Sequence, residues 1–155
     1  ADAFAGGRSD LDWLAQELGA PAAPPEASGV PAAYLPYFRA AAAKYGVPWN
    51  VLAAIARVES DFDPYAVGPP NYTGELAQGM MQILPSTWAA YAVKAYGTGS
   101  PDPFDAADSI FTAAHLLATD GAAQNLAGAI FLYNHSRSYV QEVLTLAGQI
   151  GREAP

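Results

Sequence analysis

Proline and glycine punctuate this chain so closely that only short helices fit between them. Pro36 suits the first turn of a helix running through Phe38 and a block of alanines to Tyr45, where Gly46 ends it. Pro48 opens a second helix, and Pro64 prevents its continuation. Pro85 and Ser86 begin a third, carrying Trp88, Tyr91 and Ala92, with Gly97 as its stop. Asp105 is a cap for a fourth, with Ile110, Ala113, Ala114 and Leu117 on one stripe and Gly121 beyond it. Residues 125–134 are apolar almost throughout, which predicts a central buried helix. Residues 138–150 predict a last amphipathic helix through Val140, Val143, Leu144 and Ala147. Residues 67–78 are rich in turn formers and leave room for a loop or a short hairpin. Neither an internal repeat nor a convincing alternating strand is visible. The expected class is therefore mainly all-α, a bundle of short helices with loops or a small hairpin on one side.

The totals narrow the function. The chain has 155 residues, enough for one domain with a real core, and carries a formal charge of −8. That balance argues against nucleic-acid binding, which needs Lys and Arg for phosphate contacts. It also disfavours simple electrostatic adhesion to an anionic membrane or wall. Cysteine is absent, so disulfides and thiolate metal sites are excluded. His115 and His135 are the two histidines and lack metal-ligand spacing. Asp102, Asp105 and Asp108 lack the spacing of a calcium loop and read as turns and caps. No metal or cofactor is expected. No apolar run approaches the ~20 residues of a membrane span. No signal peptide is visible at Ala1, which fits a mature or excised domain or one exported by other means.

Residues 1–33 read as an extension. Ser9 or Asp10 could cap a short helix with Leu11, Leu14 and Leu18 on one face and Trp13 beside it. A docking role is expected for it, with a partner contact as the alternative. Residues 20–31 have the Ala/Pro composition of a semi-rigid linker. The folded domain is expected over residues 34–151.

One residue stands out chemically. Leu52, Ile55, Ala56 and Glu59 fall at i, i+3, i+4 and i+7, so a carboxylate continues an apolar stripe. It also lies in the last turn, where the helix dipole disfavours negative charge. Burial and dipole together favour the protonated form, which suits a general acid. The bland alternative is a solvated helix-terminal Glu. Three neighbouring features weigh against it: Ser60 directly after, the run Gly79-Met80-Met81-Gln82, and Tyr133-Asn134 at the end of the most apolar helix.

The order Glu59-Ser60, then Gly79-x-Met81-Gln82-Ile83-x-Pro85-Ser86-Thr87, then Ala129-x-x-x-Tyr133-Asn134 resembles the soluble lytic transglycosylase family, relatives of goose-type lysozyme. Tyr45-Gly46-Val47 and Phe62-x-Pro64-x-Ala66-Val67 extend the likeness, which covers roughly residues 34–150. It implies a lysozyme-like fold and cleavage of the β-1,4 bond between N-acetylmuramic acid and N-acetylglucosamine in peptidoglycan. By that likeness Glu59 is the acid and base, Gln82 and Asn134 line the sugar subsites, and Tyr133 touches or orients Glu59. Ser60 and Met81 would support the cleft. Tyr65 and Tyr72, beside it, could stack on sugar rings, whereas Trp88, Tyr91 and Tyr96 read as core. Two departures stand out: Gly68 replaces a usual Ser, in a loop longer than in most relatives, and His135-Ser136 replaces a small residue and Gly.

A glycosidase normally needs two carboxylates. Asp61, Asp63 and Glu75 are the nearest, and capping or solvation explains the two aspartates adequately. Without a second carboxylate, substrate assistance remains: Glu59 protonates the leaving oxygen, then takes the proton of the sugar's own 6-hydroxyl as a 1,6-anhydro ring closes. The rivals are a goose-type muramidase hydrolysing the same bond and an inactive wall-binding module. Peptidoglycan glycan strands are the expected partner, with wall targeting by another domain or protein. The expected state is a monomer, outside the cytoplasm.

Overall fold

The computed structural model describes residues 29–153, so the predicted helix over residues 11–18 lies outside the described residues. Within them the order is α1 (Leu35–Tyr45), α2 (Trp49–Ser60), β1 (Val67–Pro70), β2 (Leu76–Gln78), α3 (Pro85–Tyr91), α4 (Ala106–Thr119), α5 (Leu126–Asn134) and α6 (Arg137–Glu153). The architecture is mainly all-α, and the one sheet among the described residues is the antiparallel hairpin β1–β2.

Two helices form the centre. In α2 every residue from Val51 to Ala56 is buried, because Ala53, Ala54 and Ala56 are small enough for neighbours to pack on all sides. In α4 the run from Ala107 to Ala114 is buried, together with Leu117. Helix α6 packs mainly on α2, and α1 on α4. Val30, ahead of α1, is 1% exposed and joins the same core.

Buried polar groups on α4 hold the loops. Asp108 accepts from the Lys94 ammonium at 3.1 Å and from the backbone N–H groups of Ala95 (2.8 Å) and Asp102 (3.0 Å). The Thr112 hydroxyl accepts from the Val93 N–H at 3.0 Å. These bonds explain why α3 ends at Tyr91 and not near Gly97. The N–H groups of Val93 and Ala95, which a longer helix would need, are claimed by side chains of α4. Tyr96 is consequently 54% exposed instead of joining the core.

Helix α5 also departs from expectation. Its composition suggests a core helix, yet only Ala129 and Ile130 are buried, and Leu132 is 49% exposed. The helix is apolar on all faces, so composition alone could not say which face turns outward.

Candidate active site

Helix α2 ends at Ser60, one residue past Glu59. Asp61 (φ 55°) and Phe62 (φ 64°) both adopt the left-handed conformation, which breaks the helix two residues before Pro64 can. Phe62 then turns inward against Phe38. This turn leaves Glu59 partly buried at the helix end.

The Glu59 carboxylate receives the Tyr139 hydroxyl, which donates to Oε2 at 2.7 Å. Desolvation raises its pKa above the ordinary carboxylate range. Hydrogen bonds from Tyr139 and Asn134 pull it partly back, and the nearby charge of Glu142 raises it again. The net direction is upward, as a proton donor near neutrality requires. Burial also raises the Tyr133 and Tyr139 phenols, with the Glu59 charge adding to both, so each stays neutral.

The remaining residues build the frame around this carboxylate. The Ser60 hydroxyl donates to the Met80 carbonyl at 2.8 Å and accepts from the Asp63 N–H at 3.1 Å, so it staples the helix end to the 79–82 turn. Met81 is fully buried; its N–H donates to the Ser109 hydroxyl at 3.2 Å, and its carbonyl accepts from the Tyr133 hydroxyl. Tyr133 thus ties α5 to the turn, and its electrostatic contact places it close to Glu59. The direct hydroxyl bond to the Glu59 carboxylate comes from Tyr139.

Gln82 adopts φ 52°, and its amide donates to the carbonyls of Gly79 (3.0 Å) and Ala66 (3.2 Å). Its side-chain carbonyl oxygen remains as an acceptor. A Cβ on Gly68 would lie 2.7 Å from that oxygen, so the missing side chain at position 68 makes room for the Gln82 amide. At the second departure, His135 takes the left-handed conformation (φ 48°), and Ser136 caps α6 by accepting from the Tyr139 N–H at 3.2 Å.

The carboxylates nearest in sequence are structurally occupied. Asp61 lies 4.0 Å from Arg57, and Asp63 accepts from the Tyr65 N–H at 2.9 Å. Glu75 caps α3 through the Ser86 N–H (2.7 Å) and hydroxyl (3.0 Å), which lowers its pKa. Tyr72 is 99% exposed at the hairpin turn and makes no hydrogen bond or ring contact with the group around Glu59. Tyr65 is exposed as well.

Sequence reasoning missed Tyr139 and Glu142. The signal was present: Tyr139, Val143, Ala147 and Ile150 are the buried stripe of α6, at i, i+4, i+8 and i+11. Counting Val140 and Leu144 with Val143 and Ala147, in place of Tyr139 and Ile150, rotates that face.

Two grooves are lined by residues of the elements that hold Glu59, and they share no lining residue. One, of about 380 Å³, is lined by Gln82, Leu84, Thr87, Leu132, Tyr133 and His135 among others. The other, of about 960 Å³, runs between α2 and α6 and includes Glu142 and Asp61. Tyr133, whose phenol feels the Glu59 charge, lines the first, and Glu142, whose charge raises the Glu59 pKa, lines the second.

A family model described as the transglycosylase SLT domain matches residues 36–153. Membrane-bound lytic murein transglycosylase C of Haemophilus influenzae is 37% identical over 82 residues, covering 50% of this chain and 21% of that protein. The enzyme of the same description from Yersinia enterocolitica is 40% identical over 81 residues, with the same coverage. The chain thus spans about a fifth of the length of these curated relatives. A solved structure of the Escherichia coli lytic transglycosylase SLT35 in complex with bulgecin A superposes with a TM-score of 0.67. The identity is 17%, over 77% of this chain and 70% of that one, which shows the shared lysozyme-like fold.

Proposed function

The chain belongs to the transglycosylase SLT domain family, and from that premise we propose that it cleaves the β-1,4 bond between N-acetylmuramic acid and N-acetylglucosamine in peptidoglycan, with Glu59 as acid and then base. The observation that carries this reading is the partly buried Glu59, its pKa raised, held by Tyr139 at 2.7 Å. A carboxyl group whose burial favours the protonated form suits donation to a glycosidic oxygen.

In the proposed reaction the Glu59 proton goes to the leaving oxygen as the glycosidic C–O bond breaks. The muramic N-acetyl group stabilises the cationic sugar carbon. The 6-hydroxyl oxygen then bonds to that carbon, and its proton returns to Glu59 as the 1,6-anhydro ring closes. One carboxylate suffices, consistent with the structural duties of Asp61, Asp63 and Glu75. Tyr139 and Asn134 orient the carboxylate, and the Gln82–Tyr133 groove takes sugar units. The Gln82 carbonyl oxygen is an acceptor for a sugar N–H or hydroxyl. Ser60, Met81 and Tyr133 fix the turn that shapes this groove. The reaction belongs outside the cytoplasm, where the wall lies. Among the described residues no helix is long and apolar enough to cross a membrane.

Hydrolysis of the same bond is the second reading, favoured by Glu142, a carboxylate in electrostatic contact with Glu59 that could hold a water. Mass spectrometry of muropeptides released from purified peptidoglycan separates the two. Anhydro-muramic ends, lost in Glu59→Gln, are expected; reducing ends would favour hydrolysis. Unchanged release by Glu59→Gln would remove Glu59 from the chemistry.

A further inference from the structure

Apart from Glu142, the groove between α2 and α6 contributes no residue to the chemistry described above, yet it is larger than the groove at Gln82 and Tyr133. We propose that it binds an anionic peptide, the peptide branch of the muramic unit being cleaved, with Arg137 as the residue that recognises its carboxylate. This rests on the peptidoglycan reading for the identity of the substrate, and on the groove itself for the class of ligand.

Three features carry it. The first is position: Val58 and Ser138 line the groove and directly precede Glu59 and Tyr139, which are joined by a 2.7 Å hydrogen bond, so a ligand entering at that end arrives beside Glu59. The second is the wall. Ser138, Gln141, Thr145 and Gln149 follow one another along the same face of α6 at helical spacing, over a floor of Val58 and Leu146. A row of hydroxyls and amides above an apolar floor suits an extended backbone, whose N–H and C=O groups alternate along its length. From Arg137 to Gln149 the helix rises ~18 Å, the length of about five extended residues.

The third is charge. The protein is strongly acidic and has only 7 Lys and Arg, most of them engaged. Lys94 pairs with Asp108, Arg57 lies by Asp61, Arg39 sits over Trp49 and Lys44 over Tyr45. Arg137 makes no hydrogen bond or ion pair with any described residue. It occupies the first position of α6, where the helix dipole opposes a cation. A guanidinium held there, exposed at the end of the groove nearest the acid, is available for a carboxylate of the ligand.

Two measurements test this, one independent of catalysis. A synthetic five-residue wall-type peptide with free carboxylates is titrated into the full chain while the side-chain amide signals of Gln141 and Gln149 are followed by NMR. Saturable shifts are expected, weakened about tenfold by Arg137→Ala, the loss expected for one charge-assisted hydrogen bond. They should weaken similarly when the peptide carboxylates are amidated. Absence of shifts, or equal binding of the amidated peptide, would overturn the proposal whatever the enzyme does. The second measurement compares turnover of peptide-bearing peptidoglycan and of glycan strands stripped of peptide. Arg137→Ala should raise KM for the first and leave the second unchanged, with Arg152→Ala as the control. An equal rise on both would assign the groove to glycan and refute the peptide assignment. If the wild-type chain releases nothing from either substrate, the activity reading fails on its own, while the titration still decides the groove.

Discussion

Replacing Gly79 with alanine should cost more than its backbone conformation alone can explain, and the excess measures how tightly the 79–82 turn is pressed against its neighbour. Gly79 has φ 81°, and a Cβ there would lie 2.0 Å from the Pro103 carbonyl oxygen and 3.1 Å from its carbon. Both are backbone atoms, so relief requires the turn or the 101–105 segment to move. Gly74, in the hairpin turn, is the natural control: its φ is 89°, and nothing lies within 4 Å of the added carbon. The left-handed conformation costs alanine about 1–2 kcal/mol at either site. Overpacking adds about 1–3 kcal/mol at Gly79 alone. Any gain from stiffening the unfolded chain applies to both variants and cancels in the comparison. At roughly 4 °C per kcal/mol for a domain of this size, Gly79→Ala should melt ~4–12 °C below Gly74→Ala. Thermal unfolding followed by circular dichroism measures this directly. Equal melting temperatures, or a more stable Gly79→Ala, would refute the close approach. Activity should fall with the fold, because the same turn carries the Met80 and Met81 groups that anchor Ser60 and Tyr133.

Two further perturbations test the charged and polar network. In Tyr139→Phe the carboxylate loses a hydrogen bond that favours its ionised form, so the Glu59 pKa should rise further. In the proposed reaction Glu59 acts protonated, so the alkaline limb of the kcat/KM profile should move to higher pH; an unmoved or lowered limb would contradict the proposal. Stability follows the same sign. The folded pKa of Glu59 lies above its unfolded value, so its contribution is complete below the unfolded pKa and is lost as pH rises through the folded one. In Tyr139→Phe that loss should come at higher pH. Asp108→Ala leaves the Lys94 ammonium and the Ala95 and Asp102 N–H groups without their acceptor. Lys94 is partly exposed and can return to water, so the main loss is the buried acceptor of two backbone donors, about 3 kcal/mol, seen in urea as a lower midpoint at unchanged slope.

Glu59 was legible because its position is unfavourable in two independent ways, and the pattern of neighbours needs only local spacing to be read. The start and end of α1 and the start of α2 were legible for the same reason: Pro36, Gly46 and Pro48 act within a turn of themselves. Tyr139 was not, because its meaning depends on which side of α6 meets α2. A tyrosine can be counted as apolar or polar, and that choice alone rotates the assigned face. The length of α3 was not legible either. Its early end is imposed by Asp108 and Thr112, more than a dozen residues away, whose side chains take backbone donors that helix propensity assigns to the helix. Gln82 stands between these cases. Its place in the turn could be read from the motif, but the orientation of its amide depends on the carbonyls of Gly79 and Ala66 and on the room left at Gly68.

The joint between α5 and α6 consists of His135 and Ser136 alone, and this fixes where the chain tolerates a change of length. Each residue added to or removed from the start of α6 turns everything after it by ~100° about the helix axis. A single deletion there would swing Tyr139 away from Glu59 and carry Val143, Ala147 and Ile150 off the core together. The hairpin turn is the opposite case. Gly74 faces open space and Tyr72 is almost wholly exposed, so extra residues there disturb neither the acid nor the core. A reporter or a fused segment belongs at the hairpin turn, while the two-residue joint has to keep its count.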